Sequence, residues 1–271
     1  MKRNLSTVIL IVVFLAGLSL LLYPAASDYW NSLRQSKVIS EYAADVEKLD
    51  HATYDQVLSA AKKYNEELLT AEDRFHPTAA ERKKYEGLLN ISQNGMMGYI
   101  EIPSIKKSLA IYHGVDESVL QVAVGHIEGS SLPVGGESTH SVISAHRGLP
   151  SAKLFTNLDK LTVGDLFLIR VLDETLTYEV DQILIVKPHE VGALAIEKGK
   201  DYCTLITCTP YGINTHRLLV RGHRVENQAD AASIRVTADA MQVDPMLVAP
   251  MIAAPMLLLL LLWLLVKHRK R

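Results

Sequence analysis

Two cysteines lie five residues apart in the segment DYCTLITC, and this spacing limits what they can do. The segment is predicted as a β-strand, in which five residues rise by roughly 16 Å. A disulfide needs Cα atoms within about 7 Å, and an odd spacing directs the two side chains to opposite faces. We therefore expect two free thiols, Cys203 as a small core residue and Cys208 at the strand end, where it can meet solvent and substrate.

A cysteine nucleophile needs a group that exchanges its proton and a donor that holds the developing oxyanion. Among the ten histidines, His146 ends a strand-like run at a Gly-Leu-Pro turn, just as Cys208 ends its own run. Arg217 follows a loop of about eight residues, and in a returning antiparallel strand it would face Cys208. Its guanidinium could donate to an oxyanion or to a substrate carbonyl. His146, Cys208 and Arg217 are therefore the candidates for a catalytic site.

Other interpretations of the same residues stay open. His216 is an alternative base, although its position next to Arg217 should direct it to the other face of the strand. A strand-end histidine is usually a surface residue, and a hairpin arginine is usually solvated. A zinc site is disfavoured because two cysteines on opposite faces of a strand do not form a ligand pair. We expect no metal and no cofactor.

The candidate residues lie in a part of the chain that is rich in short strands. From Gly98 onward, apolar runs are separated by glycine, proline, asparagine and aspartate. Seven or eight short strands with few helices favour an antiparallel sandwich or a closed barrel over alternating β and α units. The predicted fold class is mostly β, with a β domain at 98–226 and helical insertions around 117–124 and 151–158.

Helices are predicted ahead of the barrel, in an extracytoplasmic segment at 24–97. They cover residues 28–49 and 53–69, the second opening with Thr53 and Gln56 at capping-box spacing. A third helix should begin at Thr78, whose partner at this spacing is Glu81. The stretch AEDRFHP lies between the last two helices and is predicted as a loop at about 72–77.

The two ends of the chain are apolar and carry basic flanks. Residues 5–23 form an apolar stretch of spanning length behind Lys2 and Arg3, although a cleavable signal peptide would look similar. A second apolar stretch is followed at once by KHRKR. The basic flanks predict a two-pass protein of the cell membrane with both termini cytoplasmic. The predicted boundaries are 1–23 and 246–266 for the spans, 227–245 for a linker and 267–271 for a basic tail.

The net charge of −2 hides an asymmetry along the chain. Six of the 28 lysines and arginines lie in the two tails, which leaves 22 basic against 30 acidic residues, a net of −8, in between. This middle part offers no basic stripe for phosphates, so the charge argues against a nucleic-acid partner.

The segments around the three candidate residues resemble the class C sortases, which assemble pili in Gram-positive bacteria. The resemblance is close over about residues 90–226, and it is carried by TLITCTPYGINTHRLLVRG, GHIEGSSLPVGGESTHSVISAHRG, LFTNLDKLTVGD and MGYIEIPSI. It implies an eight-stranded closed barrel and transpeptidation at a sorting motif like Leu-Pro-x-Thr-Gly. By this resemblance Cys208 attacks the Thr carbonyl, His146 protonates the departing glycine amine and Arg217 steadies the oxyanion or the motif backbone.

The resemblance also implies the partners and a lid. The thioacyl enzyme would be resolved by a lysine of the next pilin subunit, so pilin subunits with sorting signals and the lipid bilayer are the expected partners. Class C sortases commonly carry an Asp-Pro-aromatic lid, which corresponds here to Asp73 and Phe75 with Arg74 in place of the proline. We expect Asp73 to pair with Arg217 and Phe75 to shield Cys208. The missing proline should make the loop easier to open, and a plain interhelical turn is the alternative.

Two other functions fit the same residues. A cysteine peptidase would use Cys208 and His146 and release its acyl enzyme to water. A non-enzymatic, membrane-tethered scaffold would bind surface proteins and would not need Cys208.

Overall fold

A computed structural model describes residues 2–71 and 73–227. The predicted second span and basic tail, and the linker beyond residue 227, lie outside the described residues. Eight strands close into a barrel in the order β1-β2-β3-β4-β7-β8-β6-β5, which confirms the predicted mostly β fold. The strands are β1 (Met96–Ile102), β2 (Lys107–His113), β3 (Val124–His126), β4 (Thr139–Ser144), β5 (Leu166–Val171), β6 (Glu174–Val186), β7 (Asp201–Thr209) and β8 (His216–Val225).

The barrel is not purely antiparallel, contrary to the expectation from its short strands. β2 pairs with β3 in parallel, and β4 pairs with β7 in parallel. In both cases the chain crosses over before the second strand begins, through helix α4 (Glu117–Leu120) or through the β5-β6 hairpin. The second crossover matters for function because it brings together two strands that are about sixty residues apart.

The interior of the barrel is filled by apolar side chains at alternate strand positions. Phe167 is fully buried and stacks on Tyr178 with ring centroids 5.5 Å apart. Gly222 lies directly over this pair, and a Cβ at this position would approach the Phe167 ring to 2.7 Å. Burying large side chains at this density contributes most of the stability of such a domain.

Helix α1 (Lys2–Glu47) is continuous, so the predicted break between an apolar span and a helix from residue 28 is wrong. Pro24 lies inside it, which a sequence-based prediction counts as a boundary. Its apolar part makes it the one helix of the described residues that is long and apolar enough to cross a membrane. Its far end docks on the barrel, where the Tyr42 hydroxyl donates to Met97 O (3.0 Å) and accepts from Leu172 N (2.8 Å).

Two further helices cover the barrel, α2 (His51–Leu68) and α3 (Ala79–Glu86). The predicted start of α2 at Thr53 is wrong, because the carboxylate of Asp50 caps the helix by accepting from Thr53 N at 2.7 Å. The capping box of α3 is confirmed: Thr78 and Glu81 satisfy each other's backbone donors.

Only one of the two predicted helical insertions is present in the described barrel. The short helix α4 lies inside the predicted range 117–124. Residues 151–158 instead form turns that lead into a 3₁₀ helix, Leu158–Lys160. These turns fold back on the end of β4, where Phe155 N donates to His146 O at 3.2 Å, so the backbone is held by the strand end rather than by helical bonds.

Candidate active site

Cys208 lies at the end of β7 on the outer face of the barrel. Cys203 and Leu205 belong to the barrel core, and strand alternation directs Ile206 and Cys208 to the opposite face. Both cysteines are free, as predicted; Cys203 is fully buried and Cys208 is partly exposed. Burial raises the pKa of the Cys203 thiol well above its usual value, which leaves it inert.

Arg217 faces Cys208 from the neighbouring strand. The antiparallel register of β7 and β8 pairs Cys208 directly with Arg217, which confirms their predicted placement across the loop mouth. Side chains paired in this way lie on the same face of the sheet, with Cβ atoms about 4.5–5.5 Å apart. The guanidinium is oriented by its own loop, since Nη1 donates to Asn214 O (3.2 Å) and to His216 O (3.1 Å).

His146 approaches Cys208 from the other side, where β4 runs parallel to β7. The register pairs Ser144 with Ile206, and Ala145 N donates to Ile206 O at 3.1 Å. The Thr207 hydroxyl then donates to Ala145 O at 2.9 Å, so the contact continues beyond the last strand residue. Extending the same register by two residues from Ser144 places His146 beside Cys208. The three predicted catalytic residues therefore occupy three adjacent strand ends.

An apolar groove runs along this outer face below the three residues. Val142, Ile206 and Leu219 come from the same three strands, at positions two or four residues away from the candidate catalytic groups. They line or underlie a cavity of about 370 Å³ whose wall also includes Arg217 and Phe75. An extended peptide laid in this groove would present a carbonyl to Cys208 and its side chains to an apolar floor.

The comparisons with known proteins agree with this geometry. A family model described as the sortase domain matches residues 100–225. Sortase C1 from Streptococcus agalactiae shares 54% identity, over 71% of this chain and 100% of that chain, with a TM-score of 0.69. The chain belongs to the sortase family. Sortase C from Streptococcus pneumoniae shares 44% identity, over 70% of this chain and 97% of that chain, with a TM-score of 0.62.

Relatives named sortase A match this sortase at lower sequence identity. Sortase A of Staphylococcus aureus is 34% identical over 122 residues, which is 44% of this chain and 57% of the relative. The chain thus spans little more than half the length of that relative. Several structural neighbours, by contrast, are class C sortases from streptococci and Actinomyces that match most of their own length, and another is a sortase A from Corynebacterium diphtheriae.

In this sortase, the loop between α2 and α3 lies across the apolar groove. Arg74 holds it there: Nη1 donates to Gly129 O (3.0 Å) and Nη2 to Leu194 O (2.6 Å). The guanidinium also stacks over the Phe75 ring, 4.4 Å from its centroid. Gly129 allows the close approach, since a Cβ there would lie 1.9 Å from Arg74 O. Phe75 itself packs on the cluster that contains Ile206, two residues before Cys208.

The expected ion pair between Asp73 and Arg217 is wrong. The Asp73 carboxylate is instead bonded to Nδ1 of His76 at 2.7 Å, and both side chains are exposed. Within residues 2–71 and 73–227, no ion pair joins Asp73 to Arg217. The expectation that losing the proline loosens the loop stays a prediction, although the side chain that replaces the proline forms the two bonds to Gly129 and Leu194.

The alternative base and the alternative metal site are not assembled in the described part of the chain. His216 pairs with Thr209 in the β7-β8 register. This pair is adjacent to the pair of Cys208 and Arg217, so strand alternation directs it to the opposite face of the sheet. Its ring contacts the hydroxyl of Thr215 at 3.0 Å. Among the described residues, no group of three histidine, cysteine or acidic side chains is placed to hold a metal ion.

One residue near the site was missed by the sequence-based prediction. Glu117 on α4 places Oε2 3.5 Å from Nε2 of His146. The two residues are 29 positions apart, and nothing in the sequence around Glu117 distinguishes it from other exposed acids. Only the folding of α4 against the end of β4 brings the carboxylate to the imidazole.

Proposed function

We propose that this chain is a membrane-anchored cysteine transpeptidase that cleaves a Leu-Pro-x-Thr-Gly-like sorting motif between threonine and glycine. The observation that carries this proposal is the register that sets Cys208 between His146 and Arg217 on one face of the barrel. Nucleophile, proton donor and oxyanion donor are the three functions that acyl transfer to a cysteine needs.

In the first half of the reaction, Sγ of Cys208 attacks the threonine carbonyl carbon as a thiolate. The carbonyl becomes a tetrahedral oxyanion beside Arg217. Within residues 2–71 and 73–227, Nε and Nη2 of Arg217 have no hydrogen-bond partner, so they are available to donate to it. The C–N bond to glycine then breaks, His146 gives its proton to the departing amine, and a thioester remains on Cys208.

In the second half, an amine attacks the thioester carbonyl. Its nitrogen forms a new amide bond, a proton passes to His146, and the Cys208 thiolate leaves. The thioester keeps the reactivity of the cleaved bond, so the joining step needs no nucleotide and no metal. We infer that the amine is a lysine of a pilin subunit, which would yield an isopeptide-linked polymer; the class C neighbours support this choice.

The anchor fits substrates that are themselves held at a membrane. Five residues beyond Tyr23, where the apolar stretch ends, Asp28 on α1 accepts from Lys153 N at 2.6 Å. Lys153 belongs to the turns that follow His146. Five helical residues rise by about 7.5 Å, so the catalytic rim would lie close to the bilayer surface. We infer that the barrel is extracytoplasmic and that residues 246–266 form a second span, with both termini cytoplasmic.

The loop that carries Arg74 and Phe75 acts in this proposal as a lid. Phe75 forms part of the wall of the apolar groove that the sorting motif would occupy, on the face where Cys208 lies. Release of this loop would widen the groove for a substrate.

Mass spectrometry of the full chain in detergent tests the proposal. The protein is incubated with a Leu-Pro-x-Thr-Gly peptide, with and without a lysine-containing acceptor peptide. We expect an acyl adduct on Cys208, its absence in Cys208→Ala, its persistence in Cys203→Ala, and its conversion to a ligated product by the acceptor. Hydrolysed peptide alone would assign the chain as a peptidase. No adduct, even with Phe75→Ala, would favour the scaffold.

A further inference from the structure

Helix α4 brings a carboxylate to the face of His146 that is turned away from solvent. His146 is partly buried, and its Nε2 atom is fully buried without a hydrogen-bond partner in the described structure. The Glu117 carboxylate is in ion-pair contact with this atom, at 3.5 Å. A buried ring nitrogen that faces a carboxylate is stabilised when it carries a proton.

Neighbouring residues hold Glu117 in place through hydrogen bonds. The Gln121 side chain, one turn further along, donates to the second carboxylate oxygen. The segment that follows is tied to α1, since Val122 O accepts from Asn31 Nδ2 at 3.2 Å and also from the Gln35 amide. The hydrogen bond from Gln121, and then the contact with His146, lower the pKa of Glu117, so this carboxylate is ionised at neutral pH.

The other charged groups near His146 are few. Cys208 and Arg217 approach from β7 and β8, on the side where substrate would react. Arg147, the next residue in the chain, is directed to Asp159 and forms an ion pair with it. Glu117 is therefore the acid that acts on the imidazole of His146 from α4.

We propose that Glu117 is a positioning residue for His146. By facing Nε2 it keeps a proton on that nitrogen and so fixes the tautomer, and Nδ1 is then the nitrogen that exchanges protons with Cys208 and with the leaving amine. This role rests on the proposed function, because an acid-base histidine needs a fixed tautomer only if it transfers a proton.

A proton NMR titration tests the contact without relying on activity. In the Cys208→Ala full chain, the Cε1 proton of His146 is followed with pH in the parent protein, in Glu117→Gln and in Asp116→Asn. The last variant removes the same charge from the preceding, exposed residue, whose side chain makes no capping bond. We expect Glu117→Gln to change the Cε1 resonance of His146 relative to the parent protein, and Asp116→Asn to leave it unchanged, because only Glu117 contacts the ring. Equal curves for the two variants would overturn the proposal.

The kinetics of transpeptidation test the functional part. We expect Glu117→Gln to lower kcat about two- to five-fold with little change in KM, and Glu117→Asp to lower it by less. Raised salt should shrink the difference, because the pair is partly exposed. A KM effect alone, or the same loss in Asp116→Asn, would contradict a positioning role. If the unmodified chain formed no acyl adduct, the proposed function would fail, while the NMR arm would still decide the contact.

Discussion

Replacing Arg74 with alanine should release the loop that covers the apolar groove. The change removes two hydrogen bonds from a guanidinium to the carbonyls of Gly129 and Leu194, and the stacking over Phe75. In a partly exposed loop each bond contributes about 1 kcal/mol and the stacking about 0.5–1 kcal/mol. The closed loop should therefore lose about 2–3 kcal/mol, which raises the open fraction about 30- to 150-fold.

The assay is the rate at which a small thiol reagent labels Cys208, followed by mass spectrometry of the full chain. If the loop opens and closes faster than the reagent reacts, the labelling rate follows the open fraction. We expect Arg74→Ala to label about 30- to 150-fold faster until the rate reaches that of an unprotected thiol, and Phe75→Ala to label faster as well. Lys83→Ala, which removes an equal charge from an exposed site on α3, should label like the unmodified chain.

Arg74→Pro distinguishes the effect of the Arg74 side-chain bonds on loop closure from the effect of a restrained backbone. Proline removes the same two hydrogen bonds but restricts φ, so it would keep the loop closed only if backbone restraint were the dominant factor. Equal labelling rates for the unmodified chain and Arg74→Ala would refute the reasoning, because the bonds to Gly129 and Leu194 would then contribute nothing to closure. Equal rates would also show that access to Cys208 is limited by something other than this loop.

Two further predictions concern stability, measured by denaturant unfolding of the full chain in detergent. Phe167→Ala should cost about 3–5 kcal/mol, because it opens a cavity against Tyr178 in the barrel core, whereas truncating the exposed Val163 to alanine should change little; equal effects would contradict the packing argument. Burial lowers the pKa of His126 to about 4, while its Nε2 donates to Ser131 O. The unfolded chain then binds more protons than the folded chain between pH 6.5 and 4, so stability should fall as pH falls through this window. His126→Gln should flatten this part of the profile, and an unchanged slope would exclude His126 as its source.

The parts of the site that are close in sequence were accessible to prediction. Cys208 and Arg217 flank one loop, so a strand, a loop and a returning strand suffice to place them opposite each other. Strand alternation likewise separates the inert Cys203 from Cys208. His146 is different, because its approach depends on the parallel pairing of two distant strands. Its end-of-strand position suggested it, but the resemblance to class C sortases was needed to select it.

In the lid, the motif predicts the positions of the residues but not their contacts. The sequence placed Asp73 and Phe75 at the expected positions, and the loop does lie on the barrel. However, a carboxylate in a tight turn can bond to near neighbours in the chain as well as to distant residues. Asp73 forms its hydrogen bond with His76, three residues further along the chain. Arg74 departs from the motif, which has a proline at this position, and it is the Arg74 side chain that attaches the loop to the barrel. A position-by-position comparison could not reveal this, because its acceptors are backbone carbonyls and carry no sequence signal.

The same reasoning explains why Glu117 was invisible in the sequence although it lies beside the proposed proton donor. Its placement requires α4, which packs on β3, to bring Glu117 to His146, and α1 holds Val122, two residues after α4, through Asn31 and Gln35. The helix that begins in the predicted membrane span thus also holds in place the segment that carries an acid to His146. Loosening the α1 contact, for example with Gln35→Ala, should lower kcat as Glu117→Gln does, though by less. A larger effect from Gln35→Ala would mean that α1 acts on His146 by a route other than Glu117.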